Sequence, residues 1–226
     1  MKKLTTLLCV IVLSLAVVGR AEALTFDAVD RGWYMDDGKH DTSNKNTFTG
    51  LSYGLDVSHS FFIFDLTTLA SPVVSGVIDL ELESYYGTDP TETFTLFDVL
   101  TTPVSDLSMS YSSGSATGQS IFSDLGSGNV YGSATVNSTD VGSLISLSLS
   151  AQAIADINSS TGLFAVGVAV NEPFSSSSLV EGVRFSTLSD TRTHRLTLNP
   201  VPEPATMLLL GTGLVGLAGF RRKFRK

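Results

Sequence analysis

One stretch decides the fold: Phe61-Phe62-Ile63-Phe64-Asp65-Leu66-Thr67-Thr68-Leu69-Ala70-Ser71-Pro72-Val73-Val74-Ser75-Gly76-Val77-Ile78-Asp79-Leu80-Glu81-Leu82-Glu83. From Val77 to Glu83 apolar and acidic residues alternate, so Asp79, Glu81 and Glu83 share one face. Period two is the pattern of a strand with one face buried. Phe61 to Leu66 is a second, aromatic-rich strand. The same signal recurs outward along the chain at residues 93–99, 130–136, 144–149, 163–170, 180–186 and 194–198. Gly, Asn, Asp and Ser clusters separate these runs, at Tyr86 to Pro90, Ser112 to Gly114, Asn158 to Ser160 and Pro173 to Ser178. One short helix is predicted from Ser150 to Ile157, where alanines sit among few β-branched residues.

Eight or more short strands with polar outer faces predict an all-β fold, an antiparallel two-sheet sandwich of jelly-roll-like kind. No internal repeat is evident. Ser and Thr make up 55 of the 226 residues. Hydroxyl side chains tolerate solvent and keep β propensity, which suits an exported sandwich.

Charge divides the chain into three. Residues 1–20 carry Lys2, Lys3 and Arg20, and the last six carry Arg221, Arg222, Lys223, Arg225 and Lys226. Between Leu24 and Pro200 lie 6 basic and 20 acidic residues, a balance of −14. Nucleic acid is excluded as a partner, because phosphate binding needs a basic face. The segregation also argues against an ordinary cytosolic enzyme.

Lys2-Lys3, the apolar run from Leu4 to Val18 and the small-x-small site Ala21-Glu22-Ala23 form a secretory signal peptide, residues 1–23, cut by signal peptidase after Ala23. About 15 apolar residues fall short of the roughly 20 that span a bilayer. Cys9, the only cysteine, leaves with this peptide, so the product has no disulfide, thiolate-metal site or cysteine nucleophile. Residues 24–200 then form the sandwich domain.

Residues 201–226 begin Val201-Pro202-Glu203-Pro204, continue through 16 apolar residues from Ala205 to Phe220, and end in the basic tail. The apolar segment is a transmembrane helix of about 24 Å. Its basic end is a stop-transfer signal, staying cytoplasmic with the bulk of the chain outside. The order of triplet, Gly-rich apolar helix and Arg-rich tail resembles the PEP-CTERM sorting signal. That resemblance implies an exosortase-type membrane protease as partner, removal of the tail during export, and delivery to the cell surface or an extracellular matrix rich in polysaccharide. Gly211-Thr212-Gly213-Leu214-Val215-Gly216 fits a dinucleotide fingerprint only by pattern. No strand precedes it and the chain ends ten residues later, so the glycines are better read as faces for helix packing in lipid.

Phe61 to Glu83, with Arg31-Gly32-Trp33-Tyr34 and Asp65, is also similar to jelly-roll, carbohydrate-binding-like modules of bacterial surface proteins. A fold likeness transfers no ligand site.

Chemistry is sparse. No Gly-x-Ser-x-Gly elbow and no His-Glu-x-x-His occurs, and His40, His59 and His194 mark no catalytic constellation. Asp79, Glu81, Glu83 and Glu92 read as solvated strand acids rather than a glycosidase pair. The sharpest polar cluster, Asp36-Asp37-Gly38-Lys39-His40-Asp41, offers Asp36, Asp37 and Asp41 as ligands for Ca²⁺. Its spacing departs from the EF-hand loop, and Asp and Gly serve turns equally well. Trp33 and Tyr34 are the candidates for stacking on sugar rings, with Tyr53, Tyr85 and Tyr86 as further exposed aromatics. Three expectations follow. The first is a non-enzymatic exported structural protein without cofactor. The second is a polysaccharide-binding module, Ca²⁺-assisted. The third and least supported is a surface hydrolase.

Overall fold

A computed structural model of the protein describes residues 22–52, 56–87, 89–100, 103–170, 180–187, 192–201 and 213. The chain divides into two units, residues 24–199 and the two ends, 1–23 with 200–226. The expected signal helix, Ala21 and the expected transmembrane helix lie outside the described residues. Ala23 is exposed and directly precedes the first strand. Among the described residues no helix is long and apolar enough to cross a membrane.

The described residues are mostly β and hold eleven strands: β1 Leu24–Met35, β2 Phe48–Leu51, β3 Val57–Asp65, β4 Val73–Glu81, β5 Ser84–Tyr86, β6 Glu92–Asp98, β7 Val130–Val136, β8 Leu144–Ser148, β9 Leu163–Val170, β10 Glu181–Arg184 and β11 His194–Pro200. Helix α1 covers Ala116–Leu125 and α2 covers Ala151–Ser159. Two 3₁₀ turns, η1 at Val104–Ser108 and η2 at Ser138–Asp140, complete the described elements. The predicted strands all form, with ends shifted by a few residues. Three strands (β1, β2 and β5) and helix α1 are additions to the sequence reading.

The strands pair antiparallel in two layers. The first layer runs β1–β11–β4–β8 and the second runs β1–β3–β9–β6–β7. Strand β1 serves both layers. Leu24–Asp27 pairs with β11, and after an irregularity between Ala28 and Asp30 the strand continues on β3. Such a bulge lets one strand turn from one sheet into the other. A three-strand extension, β2–β10–β5, hangs on the start of β3. Gly50 and Gly182 face each other in it at φ of 131° and 143°. A Cβ on either would sit 2.1–2.2 Å from a carbonyl oxygen of the opposite strand, so only glycine lets β2 and β10 meet.

The main core lies between the layers. Ile78, Leu80, Leu82, Leu147, Leu196 and Leu198 of the first layer pack against Phe62, Phe64, Phe94, Leu96, Val166 and Val168 of the second. A smaller core lies on the opposite face of β3 and β9. There Phe61, Ile63 and Ala165 meet Tyr34, Leu107 and the α1 residues Ile121 and Leu125. Strand β3 is therefore buried on both faces, which explains the unbroken Phe61–Phe64 run. The expectation of polar outer faces is corrected for this sheet, where α1 and η1 cover the outside. Gly167 makes the cover possible, since a Cβ there would lie 2.3 Å from the Leu125 carbonyl oxygen.

Helix α1 has modest helix formers, Thr117, Gly118 and Ser120 among them. Ser115 starts it by accepting from the Gly118 N–H, and packing of Ile121 and Leu125 supplies the rest. Ser150 caps α2 in the same way, through the Ala153 N–H.

Candidate functional site

Strand register builds a groove. Met35 lies opposite Ser58, Ser58 opposite Gly50, Gly50 opposite Gly182, and Gly182 opposite Tyr86. Three small residues thus stand in a row between two large ones. The neighbouring row holds Trp33 opposite Ser60, and Phe48 opposite Arg184 opposite Ser84. The resulting cavity, about 260 Å³, is lined by Trp33, Met35, Asn46, Phe48, Tyr86 and Arg184, with Ser52, Ser58 and Val180. It is mainly apolar and holds a few polar groups, as small-molecule sites do.

The Phe48 and Tyr86 rings meet edge to face at 5.7 Å, and the Arg184 guanidinium lies 5.4 Å from the Tyr86 ring centre. Arg184 Nε donates to Glu83 Oε2 and Arg184 Nη2 to Ser84 Oγ. Burial raises the pKa of the Glu83 carboxyl, but hydrogen bonds from Arg184 and Ser84 outweigh it and hold Glu83 below the usual carboxylate range. Trp33 is 8% exposed, and its Nε1 has no hydrogen-bond partner. Asn46 Oδ1 is buried in the same condition. A buried polar group left unbonded costs about 1–3 kcal/mol.

The candidates from the sequence separate here. Trp33 lines the groove and Tyr86 joins it. Tyr34 is a correction: it is fully buried in the smaller core and offers no stacking face. Its hydroxyl reaches the carbonyls of Asp106, Leu107 and Met109 at 3.0–3.3 Å. Asn46, Phe48 and Arg184 carried no signal, because strand pairing alone brings them together. Tyr53 lies outside the described residues.

In the acidic loop, Asp37 and Asp41 bond within their own turns. Asp37 accepts from the Lys39 N–H, and Asp41 accepts from the N–H and hydroxyl of Ser43. The hydrogen bond from Ser113, then that from Lys39, lowers the Asp37 pKa, and the hydrogen bonds from Ser43 lower that of Asp41. These carboxylates brace their own turns. The acids that converge among the described residues are Asp89, Glu92 and Glu181, with ligand oxygens within 4.8 Å of one another. Glu92 and Glu181 are buried and Asp89 is exposed. Such a set suits a hard, oxygen-seeking cation such as Ca²⁺. Sequence spacing could not have grouped them, since they sit on β6, β10 and the turn before β6.

The strand acids are partnered. Glu81 pairs with Arg192 at 3.3 Å and Asp79 accepts from Ser146. Each histidine donates a ring N–H to a main-chain carbonyl and stacks on an aromatic ring. His40 bonds Trp33 O and lies on Tyr34, His59 bonds Phe122 O and lies on Phe122, and His194 bonds Phe185 O and lies on Phe62. Burial lowers the pKa of His40 and of His59.

Residues 200–223 match the PEP-CTERM protein-sorting motif. The match contains Pro202-Glu203-Pro204, the apolar segment, and Arg221, Arg222 and Lys223 of the tail, with Arg225 and Lys226 just beyond it. The chain therefore carries a PEP-CTERM protein-sorting motif, which supports export and membrane-associated sorting, and the motif is associated with processing by an exosortase. Of the matched residues Pro200, Val201 and Gly213 are described, and the others lie outside the described residues. No curated protein matches the chain.

Proposed function

We propose that this is a non-enzymatic, exported structural protein, whose jelly-roll-like β-domain is delivered to the cell surface or extracellular matrix by its C-terminal signal. The sorting motif at residues 200–223 carries the reading. Signal peptidase acting after Ala23 and an exosortase acting near Pro202-Glu203-Pro204 release residues 24–200, within which residues 24–199 are a compact unit. Two further observations support a structural role. The three histidines are held by carbonyls and aromatic rings, and the strand acids by Arg192, Arg184 and Ser146.

The test follows the protein in the cell. Removing residues 202–226 is expected to change its envelope destination, and mass spectrometry of the surface form is expected to lack the tail peptide. Unchanged sorting, or an intact tail in the surface form, overturns the proposal.

A further inference from the structure

Leu24 opens β1 and stands opposite Leu198, two residues before β11 ends at Pro200. The two segments that flank the strands therefore leave the sandwich at one end. Strand register puts the end of β3, the start of β9, the end of β6 and the start of β7 at that same end. Residues 66–72 link β3 to β4 there. Helix α2 links β8 to β9, and its Asn158 bonds both the N–H and the carbonyl of Val73.

Four large apolar side chains are exposed at this end: Val74 at 59%, Leu100 at 62%, Val130 at 50% and Leu163 at 48%. Leu100 and Leu163 line one hollow, Leu69 and Pro72 line a second, and Ser160 borders both. Exposed apolar residues scattered singly need no explanation, but several gathered at one end mark an interaction surface.

Charge says what kind of partner fits. The domain stands at −14, yet residues 66–76, 99–105 and 157–163 contain no charged residue. The acids of this end, Asp65, Asp98 and Asp156, accept hydrogen bonds from Thr67, Asn129 and Tyr131. The opposite end differs. Leu144 is 51% exposed there, but it stands opposite Glu81 and follows the turn that holds Asp140. An end cleared of charge approaches an anionic lipid surface at lower cost than the rest of an acidic domain, and its apolar side chains gain by entering the headgroup layer.

Chain length points the same way. Strand β11 ends at Pro200, and the apolar segment starts at Ala205. The residues between, 201–204, reach at most about 14 Å when fully extended. Headgroups fill roughly 5–8 Å on each side of the hydrocarbon core. A domain anchored by residues 205–220 thus keeps this end beside the bilayer.

We propose that this end of the sandwich rests on the lipid bilayer before processing, with Val74, Leu100, Val130 and Leu163 in the headgroup layer, a contact that rests on the reading of residues 205–220 as held in the membrane. Once the tail is removed, the interfacial contact alone is weak and reversible, so the domain is free to leave.

The full chain, in a Cys9→Ser background, takes an environment-sensitive dye at one cysteine at a time. The positions are Val74→Cys, Leu100→Cys and Leu163→Cys, with Leu144→Cys at the opposite end. All four are exposed, so the label leaves the core undisturbed. Each protein is reconstituted into liposomes of phosphatidylethanolamine and phosphatidylglycerol, and flotation collects what is membrane-bound. Dye at 74, 100 and 163 is expected to shift to the blue and to lose emission to doxyl-labelled lipid. Dye at 144 is expected to emit as in water. Flotation with all four dyes in water overturns the proposal and leaves the membrane reading of residues 205–220 intact. A chain that does not float overturns that reading and the proposal with it. A blue shift without doxyl quenching that fades as protein is diluted in lipid identifies a second copy as the occupant, and overturns the proposal alone.

Discussion

Replacing Gly167 by alanine should cost more than any other single methyl group on β9. Gly167 lies on the face that α1 covers, opposite Phe61 in β3 and Phe97 in β6. A Cβ built there meets Leu125 O at 2.3 Å, Leu125 Cα at 2.6 Å and Leu125 C at 2.8 Å. All three are backbone atoms, so no rotamer change relieves the contact. Ordinary contact begins near 3.4 Å, so the last turn of α1 must retreat by about 1 Å. That retreat loosens Ile121 and Leu125 from Phe61, Ile63 and Ala165. Overpacking costs about 1–3 kcal/mol, and the upper half of that range applies because the obstacle is main chain. Urea unfolding followed by circular dichroism measures it, as a lower midpoint with an unchanged slope. Gly162→Ala is the control, since nothing lies within 4 Å of its Cβ. A Gly167→Ala midpoint equal to that of the Gly162 control would refute the seating of α1 on β9. Rescue by Leu125→Ala would refute the backbone origin of the cost.

Tyr34→Phe removes the hydroxyl that reaches the carbonyls of Asp106 and Leu107 in η1 and of Met109 just after it, and should destabilise the protein by about 1–3 kcal/mol, with no change in the sorted location; equal melting temperatures would show that η1 is not held by Tyr34. Ser150→Ala should cost about 1 kcal/mol by uncapping α2, and Ser150→Asp should restore most of it. Acid should weaken the fold in two stages. Burial lowers the pKa of His40 and His59, so the folded chain keeps both neutral while the unfolded chain takes up protons below about pH 6.5. Stability present above that pH is lost as pH falls, by up to about 1.4 kcal/mol per pH unit for each histidine. For Asp30, burial raises the pKa, but hydrogen bonds from Lys45, Ser108 and the Arg31 N–H lower it further. Glu83 is likewise lowered, so both acids add a second loss below about pH 4. Melting temperature measured from pH 7 to pH 5 tests the first stage, and a rise over that range would contradict it.

The sequence by itself determined the address, the β class and most strand positions. Those rest on local order: a charge map, a Pro-Glu-Pro triplet before an apolar run, and alternation such as Val77 to Glu83, which needs no partner to be recognised. Strand β1 was hidden because it serves two sheets. Its irregularity between Ala28 and Asp30 shifts the alternation midway, and Asp27, Asp30 and Arg31 interrupt the apolar signal. Helix α1 was hidden because its stability comes from Phe61, Ile63 and Ala165 beneath it rather than from its own residues. Of the candidate site, Trp33 was legible as the lone indole. Tyr34 beside it could not be told apart, since adjacent strand residues point to opposite faces and only packing says which face is closed. The groove belongs to tertiary structure alone. Trp33, Asn46, Phe48, Tyr86 and Arg184 span about 150 positions of sequence, and what gathers them is register across β1, β3, β2, β10 and β5. Asp89, Glu92 and Glu181 converge for the same reason. Pairing between distant strands is set by which faces can be buried together, a property of the assembled sheets that no local window of residues contains.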